Sequence, residues 1–307
     1  MSQFGHIPVL LDDHNRPLFD YLRPQGGERV LDATVGLGGH AKAFWNAVGS
    51  TGHTYCIDAD IVNLQWAKEC FPQDVQNVTF IHGNFRDIGR MGLPSMDIIF
   101  ADLGVSSPHL DDPMRGFTFR DDAPLDLRFD HTKGTTAAVF LATSSEEELK
   151  RIFRDYGEMR GSGKLAHVLY RELHRGIGMQ TTAQFRTVVE RVYGYRAPSI
   201  LPQAFQALRV AVNDELGALE ELLDVAPALL KVGGRLGIIS YHSLEDRMVK
   251  EAFRPLCTAE KDPLTGARVG EPAFVQCMKK PVIPSPEELE RNPRSRSAKF
   301  RAMVKRA

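Results

Sequence analysis

A glycine-rich segment, Gly36-Leu-Gly-Gly-His40, follows the apolar run Glu28-Arg-Val-Leu-Asp32. If that run is a strand and a helix begins near Ala41, the glycines let backbone N–H groups approach a ligand at a helix N-terminus. The segment also fits a dinucleotide fingerprint, with Asp58 about twenty residues on to bind a ribose. A tight turn without a ligand is the alternative, which the coincidence of glycines, Asp58 and strand order disfavours.

Acidic residues at predicted strand ends favour S-adenosylmethionine over a nicotinamide cofactor. Asp32 ends the first strand shortly before the glycines, where a carboxylate suits a cationic amino-acid end and would repel a pyrophosphate. A fourth predicted strand, Met96 to Asp102, also ends in an acid. The polar loop after it, Leu103-Gly-Val-Ser-Ser-Pro108, would lie where a methyl acceptor binds.

A later strand, Gly233 to Ser240, should end at the same edge of the sheet. His242 and Ser243 follow it and are candidates for the substrate pocket. A histidine at a strand end is often only a structural group, so His242 keeps both interpretations. The next residues, Glu245-Asp-Arg247, are expected to cap and brace the following helix.

Composition predicts a globular, cytoplasmic protein. Of 307 residues, 43% are hydrophobic and 25% are charged, which excludes disorder as the main state. No apolar run reaches about 18 residues and no presequence is evident, so we expect no membrane segment. The cysteines form no C-x-x-C pair, which argues against a disulfide scaffold or a metal site. They are Cys56, Cys70, Cys257 and Cys277.

Charge is unevenly distributed along the chain, although the net charge is only −1. Residues 150–196 hold ten Lys/Arg and four Asp/Glu, and residues 279–307 hold nine and three, so each segment carries +6. Two basic segments on an acidic body indicate a docking surface for nucleic acid. Two solvent-exposed helical faces that bind no partner would carry the same numbers of charged residues.

The hydrophobic pattern predicts a split α/β fold. Alternating strands and helices occupy the first hundred residues, which is typical of a parallel sheet. Helical patterns then replace strands from Pro113 to about Leu201, with capping boxes at Ser145 and Thr181. One long amphipathic helix, Gln203 to Leu223, is predicted before sheet-type sequence returns. We therefore predict a first sheet part at 1–112, an inserted helical domain at 113–202 and a second sheet part at 203–307.

The last thirty residues are rich in proline, serine and arginine, and too poor in apolar residues for a core of their own. They are expected to lie along the surface. Ala298, Phe300 and Val304 could nevertheless anchor a final strand or turn.

Eight ordered motifs resemble the bacterial MraW, or RsmH, family. The resemblance implies a Rossmann-like methyltransferase sheet with an inserted all-helical domain, which uses S-adenosylmethionine to methylate N4 of cytidine 1402 in the decoding region of small-subunit 16S rRNA. The motifs run from residue 6 to residue 299: His6-x-Pro-Val-Leu-Leu, Asp32-Ala-Thr-Val-Gly-Leu-Gly-Gly-His40, Asp102-Leu-Gly-Val-Ser-Ser-Pro, Arg115-Gly-Phe-Thr-Phe, Pro124-Leu-Asp-Leu-Arg128, Ala211-Val-Asn-Asp-Glu-Leu216, Ser240-Tyr-His-Ser-Leu-Glu-Asp-Arg247 and Asn292-Pro-Arg-Ser-Arg-Ser-Ala-Lys299.

The resemblance also implies a set of cofactor-binding residues. Asp58 would accept from the ribose hydroxyls and Phe85 would lie beside adenine. The set comprises Gly38, Gly39, His40, Asp58, Phe85, Asp102 and His109. His109 stands where the family usually has Gln, and Thr118 and Ala123 replace the usual Ser and Gly. The roles of the family's residues therefore carry over less directly to these three positions.

Direct methyl transfer to an exocyclic amine needs acceptors for its N–H bonds and needs no thiolate. The catalytic candidates are Asp102, Ser106, Ser107 and His242. Arginine and lysine within the motifs are predicted to bind RNA: Arg115, Arg128, Arg294, Arg296 and Lys299.

Three other functions fit parts of the sequence. A dinucleotide-dependent oxidoreductase would use the glycine loop and Asp58. A methyltransferase for another amine, in DNA or protein, would share the first half of the chain. A non-catalytic RNA-binding module would share the fold, although the intact glycine, Asp58 and Asp102 positions argue against lost catalysis.

Overall fold

The computed structural model describes residues 7–11, 17–262 and 265–306, so His6 of the first motif lies outside the described residues. The chain forms two compact units. The sheet unit comprises Met1–Gly104 and Gly217–Ala307, and the helical unit comprises Val105–Leu216. No helix among the described residues is long and apolar enough to cross a membrane.

The sheet unit is built on a seven-stranded sheet of order β3-β2-β1-β4-β5-β9-β8. Its first five strands in that order are parallel, whereas β9 runs antiparallel to both β5 and β8. A separate antiparallel pair joins β6 and β7. The strands are β1 (Arg29–Asp32), β2 (His53–Asp58), β3 (Val78–His82), β4 (Met96–Asp102), β5 (Leu230–Ser240), β6 (Glu260–Lys261), β7 (Arg268–Val269), β8 (Phe274–Gln276) and β9 (Lys299–Lys305).

Twelve α-helices are found among the described residues, and four short 3₁₀ helices lie between them. The α-helices are α1 (Pro17–Leu22), α2 (Gly39–Val48), α3 (Ile61–Glu69), α4 (Ser107–Asp111), α5 (Ala137–Thr143), α6 (Glu146–Asp155), α7 (Ser162–His174), α8 (Thr182–Tyr193), α9 (Ala197–Asn213), α10 (Glu215–Leu229), α11 (Ser243–Leu256) and α12 (Pro286–Arg291). The 3₁₀ helices are Phe85–Arg90, Pro113–Arg115, Gly194–Arg196 and Pro293–Ser297.

Apolar side chains of α5 to α9 form the core of the helical unit, in which Phe153 and Phe185 are fully buried. Both predicted helix starts occur. The Thr181 side chain caps α8 in a complete capping box with Gln184, and the Ser145 hydroxyl accepts from the Glu148 N–H at the start of α6. These short-range hydrogen bonds explain why the sequence located both helices.

The predicted single helix from Gln203 to Leu223 is wrong. Asp214 adopts a left-handed conformation, with φ 48°, and separates α9 from α10. An interruption that needs one unusual backbone conformation leaves the apolar spacing intact, so the periodicity did not reveal it.

The helical unit is also longer than the predicted insertion at 113–202. It begins at Val105 because Val105 and Leu110 pack on its apolar core, and it extends to Leu216 because α9 contributes Phe205 and Leu208. Both additions are apolar residues whose packing partners lie far away in sequence.

The expectation that the tail lies on the surface is wrong for its last part. β9 lies between β5 and β8, and Phe300, Ala302 and Met303 are buried. The three residues singled out as possible anchors therefore flank or belong to an internal strand, while Arg294 and Arg296 precede it on an exposed 3₁₀ turn.

Candidate active site

Four strands of the sheet unit end at one edge and carry the polar residues that the sequence singled out. In the register, Asp32 pairs with Phe100, Asp58 with His82, and Asp102 with Ile239. Since these strands are parallel, the three aspartates lie at the carboxyl edge of the sheet. Ligands bind at that edge in open α/β folds.

The glycine loop is held to the second strand by Asp58. One carboxylate oxygen, Oδ2, accepts from the Gly36 N–H at 2.8 Å, and Oδ1 accepts from the Asp60 N–H at 2.8 Å. Asn63 Nδ2 also lies 3.5 Å from Oδ1, so a ribose hydroxyl would join donors that already share this carboxylate. Asp58 therefore orders the loop as well as offering a ribose contact.

The glycines of the loop have different physical roles. At Gly39 an added Cβ would lie 2.6 Å from Pro8 Cγ, and at Gly38, with φ 82°, it would lie 3.1 Å from Ala67 Cα. Gly36 also has a positive φ, 52°, but its nearest neighbour would be the Thr34 oxygen at 3.9 Å. Close packing within the chain therefore requires glycine at 38 and 39, a reason the sequence did not reveal, whereas the space beside Gly36 is open.

Asp32 is fully buried and incompletely hydrogen-bonded. Its Oδ1 accepts from the Thr34 N–H at 3.2 Å, but Oδ2 has no hydrogen-bond partner among the described residues. Burial raises the pKa of Asp32 to about 8; the Thr34 N–H opposes that shift, and the charges of Asp102 and Asp58 add to it. A buried acceptor of this kind is costly unless a donor reaches it, so the position suits a ligand amine.

Asp102 is fixed from several sides. Its Oδ1 accepts from the Tyr241 hydroxyl at 2.8 Å, its Oδ2 lies 3.7 Å from His40 Nδ1, and its backbone N–H donates to Thr34 Oγ1 at 2.7 Å. Burial raises the pKa of Asp102 to about 7, with the Tyr241 hydroxyl opposing the shift and the Glu245 charge adding to it. The carboxyl group therefore exchanges a proton close to neutral pH.

The imidazole of His40 is buried and packs against Phe100, with 4.8 Å between ring centroids. Its Nε2 lies 2.9 Å from the Val9 carbonyl oxygen and donates to it, and its Nδ1 lies 3.7 Å from Asp102 Oδ2. His40 thus lies at the predicted site with its side chain in contact with the catalytic candidate.

Tyr241 and Thr34 are site residues that the sequence analysis missed. Tyr241 was passed over in favour of its neighbour His242, although it follows strand β5 directly. Thr34 connects Asp32 to Asp102, because its N–H and its hydroxyl bond one aspartate each. The signal for Thr34 was its position two residues after an acid at a strand end, a spacing typical of side-chain to backbone hydrogen bonds.

His242 has a structural position. Its Nδ1 accepts from the Glu245 N–H at 3.4 Å, while the Glu245 carboxylate accepts from the N–H groups of Tyr241 and His242. The two residues form a capping box at the start of α11, and the His242 side chain is only 9% exposed. The His242 ring therefore caps a helix through Nδ1, and its contact with the substrate stays a prediction. The prediction that Glu245 caps this helix agrees with the geometry.

Phe85 begins the 3₁₀ helix Phe85–Arg90 and is half-buried against an apolar cluster that includes Ile88. Asn84 starts this turn by accepting from the Arg86 N–H at 3.1 Å. One part of the aromatic ring remains accessible, as a role beside a ligand base requires.

Within the helical unit, Ser106, Ser107 and His109 lie at the start of the short helix α4 rather than on an open loop. His109 Nδ1 lies 3.1 Å from the Ser106 N and 3.0 Å from the Ser106 hydroxyl. The His109 ring is buried beside Phe117 and Phe129, at centroid distances of 4.9 and 5.3 Å. The structure thus gives Ser106 and His109 a local packing role and leaves their predicted ligand contacts untested.

Three of the five side chains that were predicted to bind RNA form hydrogen bonds or ion pairs within the protein. Arg115 donates to the carbonyl oxygens of Arg128 and Phe129, Arg128 forms a bidentate pair with Asp126, and Lys299 lies 3.4 Å from Asp246. These contacts show that Arg115 and Arg128 order one loop, and their contact with RNA stays a prediction. Arg294 and Arg296 are exposed.

None of the four cysteines is poised as a nucleophile. No disulfide joins them, and burial raises the pKa of every thiol, to about 11 at Cys257. A thiolate attacks only when its pKa is lowered or a base is adjacent.

The strand order, the glycine loop and the acids after β1, β2 and β4 define a Rossmann-like methyltransferase domain, as the sequence predicted. Within that class, the chain belongs to the MraW methylase family, whose model matches residues 3–306. The family resemblance is thereby confirmed, and S-adenosylmethionine is the cofactor. Family membership excludes the dinucleotide-dependent oxidoreductase considered above.

The chain is similar to two proteins named ribosomal RNA small subunit methyltransferase H. That of Thermomicrobium roseum is 42% identical over 97% of this chain and 92% of the relative. That of Phocaeicola vulgatus is 40% identical over 99% of each chain. Among solved structures, an rRNA methylase from Streptococcus thermophilus is 11% identical with a TM-score of 0.44, covering 98% of this chain and 100% of that one.

The residues present fit S-adenosylmethionine. Its ammonium group would satisfy the Asp32 Oδ2 atom that has no partner among the described residues. The space beside Gly36 is open to the rest of the cofactor, and the Asp58 carboxylate lies next to it, with Oδ2 2.8 Å from the Gly36 N. Binding a cation beside Asp32 favours its ionised form.

Proposed function

We propose that this protein transfers a methyl group from S-adenosylmethionine to N4 of cytidine 1402 in the decoding region of 16S rRNA. The observation that carries the proposal is the Asp102 carboxylate, held by Tyr241 at the edge of the sheet where the glycine loop also lies. The names of the relatives, which are small-subunit rRNA methyltransferases, support the substrate.

Three residues of the sheet unit would each bind a different part of the cofactor. Asp32 would hold its ammonium group, Asp58 its ribose hydroxyls, and Phe85 its adenine. When bound, S-adenosylmethionine supplies an electrophilic methyl group on a sulfonium. The carboxylates also favour a cationic ligand over an anionic one, which is the discrimination that this cofactor requires.

Asp102 is assigned to the methyl acceptor. The N4 lone pair of cytosine is delocalised into the ring, so an acceptor that draws on an N–H bond helps the nitrogen turn tetrahedral. Tyr241 occupies Oδ1 and leaves Oδ2 beside His40, with a pKa of about 7. A carboxylate with that pKa can accept from the amine and then take the proton that methylation releases.

The other catalytic candidates are weaker. Ser107 is retained as a predicted contact because it follows Asp102 by five residues in the motif. Ser106 is assigned to positioning the start of α4 through His109. His242 caps α11 through Nδ1, so its contact with the substrate is the weaker part of the proposal.

Methylation at ring C5 of cytosine is the closest chemical alternative, and it needs a thiolate that attacks C6. The raised pKa of each thiol argues against it. Methyl transfer without a covalent adduct is therefore the mechanism that the residues favour.

The proposed partner is 16S rRNA within the small ribosomal subunit, which would place the reaction in the cytoplasm. Arg294 and Arg296, both exposed, remain predicted phosphate contacts. Their binding would weaken with salt because each neutralised phosphate releases counterions.

The decisive experiment is mass spectrometry of 16S rRNA nucleosides and fragments from cells that lack the gene, with complementation by the wild type or by Asp102→Asn. We expect N4 methylation at position 1402 to disappear with the gene, to return with the wild type and to stay absent with the variant. Loss of 5-methylcytidine instead, or loss of a methyl group at another nucleotide, would contradict the proposal.

A further inference from the structure

The first motif and the opening residue of the last motif have no part in the proposed function, and they meet in the sheet unit. Residues 7–11, which we call the strap, are the described part of the first motif. Asn292 opens the last motif, and its Nδ2 donates to the Ile7 carbonyl oxygen at 3.1 Å. Glu288, in α12, accepts from the Leu10 N–H at 2.7 Å through Oε1. Two side chains that lie 285 and 278 positions further along the chain therefore hold the strap near both of its ends.

The strap is held in a conformation that it would not adopt alone. Leu10 is fully buried in an apolar cluster that includes Leu18 and Leu22. Its φ is 59°, in the left-handed region that leucine rarely adopts. Such a conformation persists only where the surrounding structure enforces it. Glu288, itself buried, binds the N–H of this same residue, so its hydrogen bond helps to hold the strained backbone.

The strap contacts the first turn of α2 through two successive residues. Pro8 packs against Gly39, as the 2.6 Å between Pro8 Cγ and an added Cβ shows. The Val9 carbonyl oxygen accepts from His40 Nε2 at 2.9 Å. A carbonyl oxygen can only accept, so Nε2 carries a proton, and in a neutral imidazole Nδ1 then carries none. Nδ1 is the nitrogen that lies 3.7 Å from Asp102 Oδ2.

The tautomer of His40 matters for the oxygen that it faces. Tyr241 donates to Asp102 Oδ1, and Oδ2 is the oxygen that the proposed function gives to the amine of cytosine. A neutral His40 with its proton on Nδ1 would donate towards Oδ2 and compete with that amine. With the proton on Nε2, the ring cannot donate to Oδ2. The Val9 carbonyl therefore selects the tautomer that leaves Oδ2 to the substrate.

We propose that Glu288 and Asn292 are positioning residues for methyl transfer, because they hold the strap whose Val9 carbonyl fixes the tautomer of His40 beside Asp102. The inference rests on the proposed function, in which Asp102 accepts from the amine. Glu288 and Asn292 act only through the strap. Loss of either hydrogen bond releases one end of the strap, so that Val9 no longer holds Nε2 and the other tautomer becomes populated.

The first test is ¹⁵N NMR of the full chain with labelled histidine, which distinguishes the two tautomers of a neutral ring. The chain has ten histidines, and the signals that disappear in His40→Gln identify those of His40. The wild type should show the proton on Nε2. Asn292→Ala and Glu288→Ala should shift the His40 signals towards a mixture of both tautomers. Asn292→Asp, which has the same size but no donor, should behave as Asn292→Ala does.

The second test is the single-turnover rate of methyl transfer at saturating S-adenosylmethionine. Asn292→Ala and Glu288→Ala should each lower this rate about tenfold, because the acceptor for the amine is partly blocked. Glu288→Gln keeps an oxygen for the Leu10 N–H and should retain more of the rate than Glu288→Ala. Affinity for S-adenosylmethionine, measured by calorimetry, should stay at the wild-type value in all of these variants.

Asn77 provides a matched control in the same unit. Its Nδ2 also donates to backbone carbonyl oxygens, those of Gly49 and Gly52, at 2.9 and 3.0 Å. Asn77→Ala should lower the melting temperature, as Asn292→Ala does, because both lose an amide that ties two segments together. It should leave the His40 tautomer and the single-turnover rate unchanged.

A wild-type tautomer in both Asn292→Ala and Glu288→Ala would overturn the inference. A lower affinity for S-adenosylmethionine with a normal rate at saturation would also overturn it, and would assign the strap to the glycine loop. Glu288→Gln as impaired as Glu288→Ala would contradict a role through the hydrogen bond and would indicate the Glu288 charge, which also acts on the Tyr241 hydroxyl.

The tautomer of His40 does not depend on which nucleotide is methylated. Nucleoside analysis can therefore fail while the strap is found to fix His40, and the tautomer can stay unchanged in the variants while methylation at N4 is found. The two proposals are thus refuted by different measurements.

Discussion

The pKa values of two aspartates are shifted in opposite directions: that of Asp102, in the sheet unit, is raised, and that of Asp126, in the helical unit, is lowered. Burial raises the pKa of Asp102 to about 7, and the hydrogen bond from the neutral Tyr241 hydroxyl opposes that shift only in part. Burial also acts on Asp126, but the bidentate contact with Arg128 outweighs it and lowers the pKa of Asp126. A buried carboxylate without a cationic partner can exchange protons near neutral pH, whereas one paired with arginine orders a loop.

The largest effect should come from removing Asp102. We expect Asp102→Ala to reduce the single-turnover rate of methyl transfer by about 10²–10³-fold, since it removes the acceptor for the amine. The matched control is Asp126→Ala in the helical unit. This variant should reduce thermal stability, but its methyl-transfer rate, measured well below its melting temperature, should stay within a fewfold of the wild-type rate. A variant at Asp102 with an undiminished rate would remove this residue from catalysis.

Asp58 should matter mainly for the cofactor. Asp58→Ala removes an acceptor for the ribose and the anchor of the Gly36 N–H, so affinity for S-adenosylmethionine should fall about tenfold to a hundredfold. Gly38→Val should abolish binding for another reason, because a β-branched residue at φ 82° beside Ala67 is strained. Calorimetry on both variants, with circular dichroism as the fold control, separates these causes; wild-type affinity in either variant would contradict its assignment.

The pH dependence of the reaction should report Asp102. If the ionised carboxylate is the active form, the rate rises with pH, is half-maximal near pH 7 and reaches its plateau about one unit higher. Tyr241→Phe deletes the hydrogen bond that lowers this pKa, so the rising limb should move to higher pH by about one unit. The plateau rate itself should change less. A purely structural role for Tyr241 would lower the rate at every pH without moving the limb.

Asp32 should make stability depend on pH in the absence of cofactor. Its pKa is raised from 3.8 to about 8, so the folded state binds the proton more tightly than the unfolded state does. The stabilisation is complete below about pH 4 and is lost as pH rises to about 8. Asp32→Asn should therefore raise the melting temperature relative to the wild type at pH 8.5 and keep only a minor part of that advantage at pH 5. An equal difference at both values would contradict the assignment.

The smallest effects concern arginines. Arg128→Ala should destabilise the helical unit by about 1–3 kcal/mol, because Asp126 and two carbonyl groups lose their donors. Arg296→Ala should leave stability unchanged and weaken RNA binding a fewfold, with a salt slope lower by about 0.7–0.9. Denaturant titration and binding isotherms on the same two proteins test this contrast, which the reverse pattern would refute.

The sequence by itself determined the elements whose signals are local. Strand β4 has the bounds that the apolar pattern predicts, and Thr181 caps α8 through a residue three positions away. The motifs likewise identified the family, because ordered residue types are visible without any geometry. The glycine loop, Asp58 and Asp102 were placed correctly at one edge because parallel strands end together.

Only the tertiary structure decided which polar groups meet and how deeply they are buried. The Tyr241 hydroxyl reaches Asp102 across 139 positions of sequence, and Arg128 proved to be a loop anchor through Asp126 and the carbonyls around it. The tail became an internal strand because β5 and β8 offered it hydrogen bonds on both sides. A pKa, a hydrogen bond and a strand pairing all depend on distances between groups that are remote in the chain. Residue types and their spacing therefore indicate the kind of reaction, whereas the folded structure determines which carboxylate can take part in it.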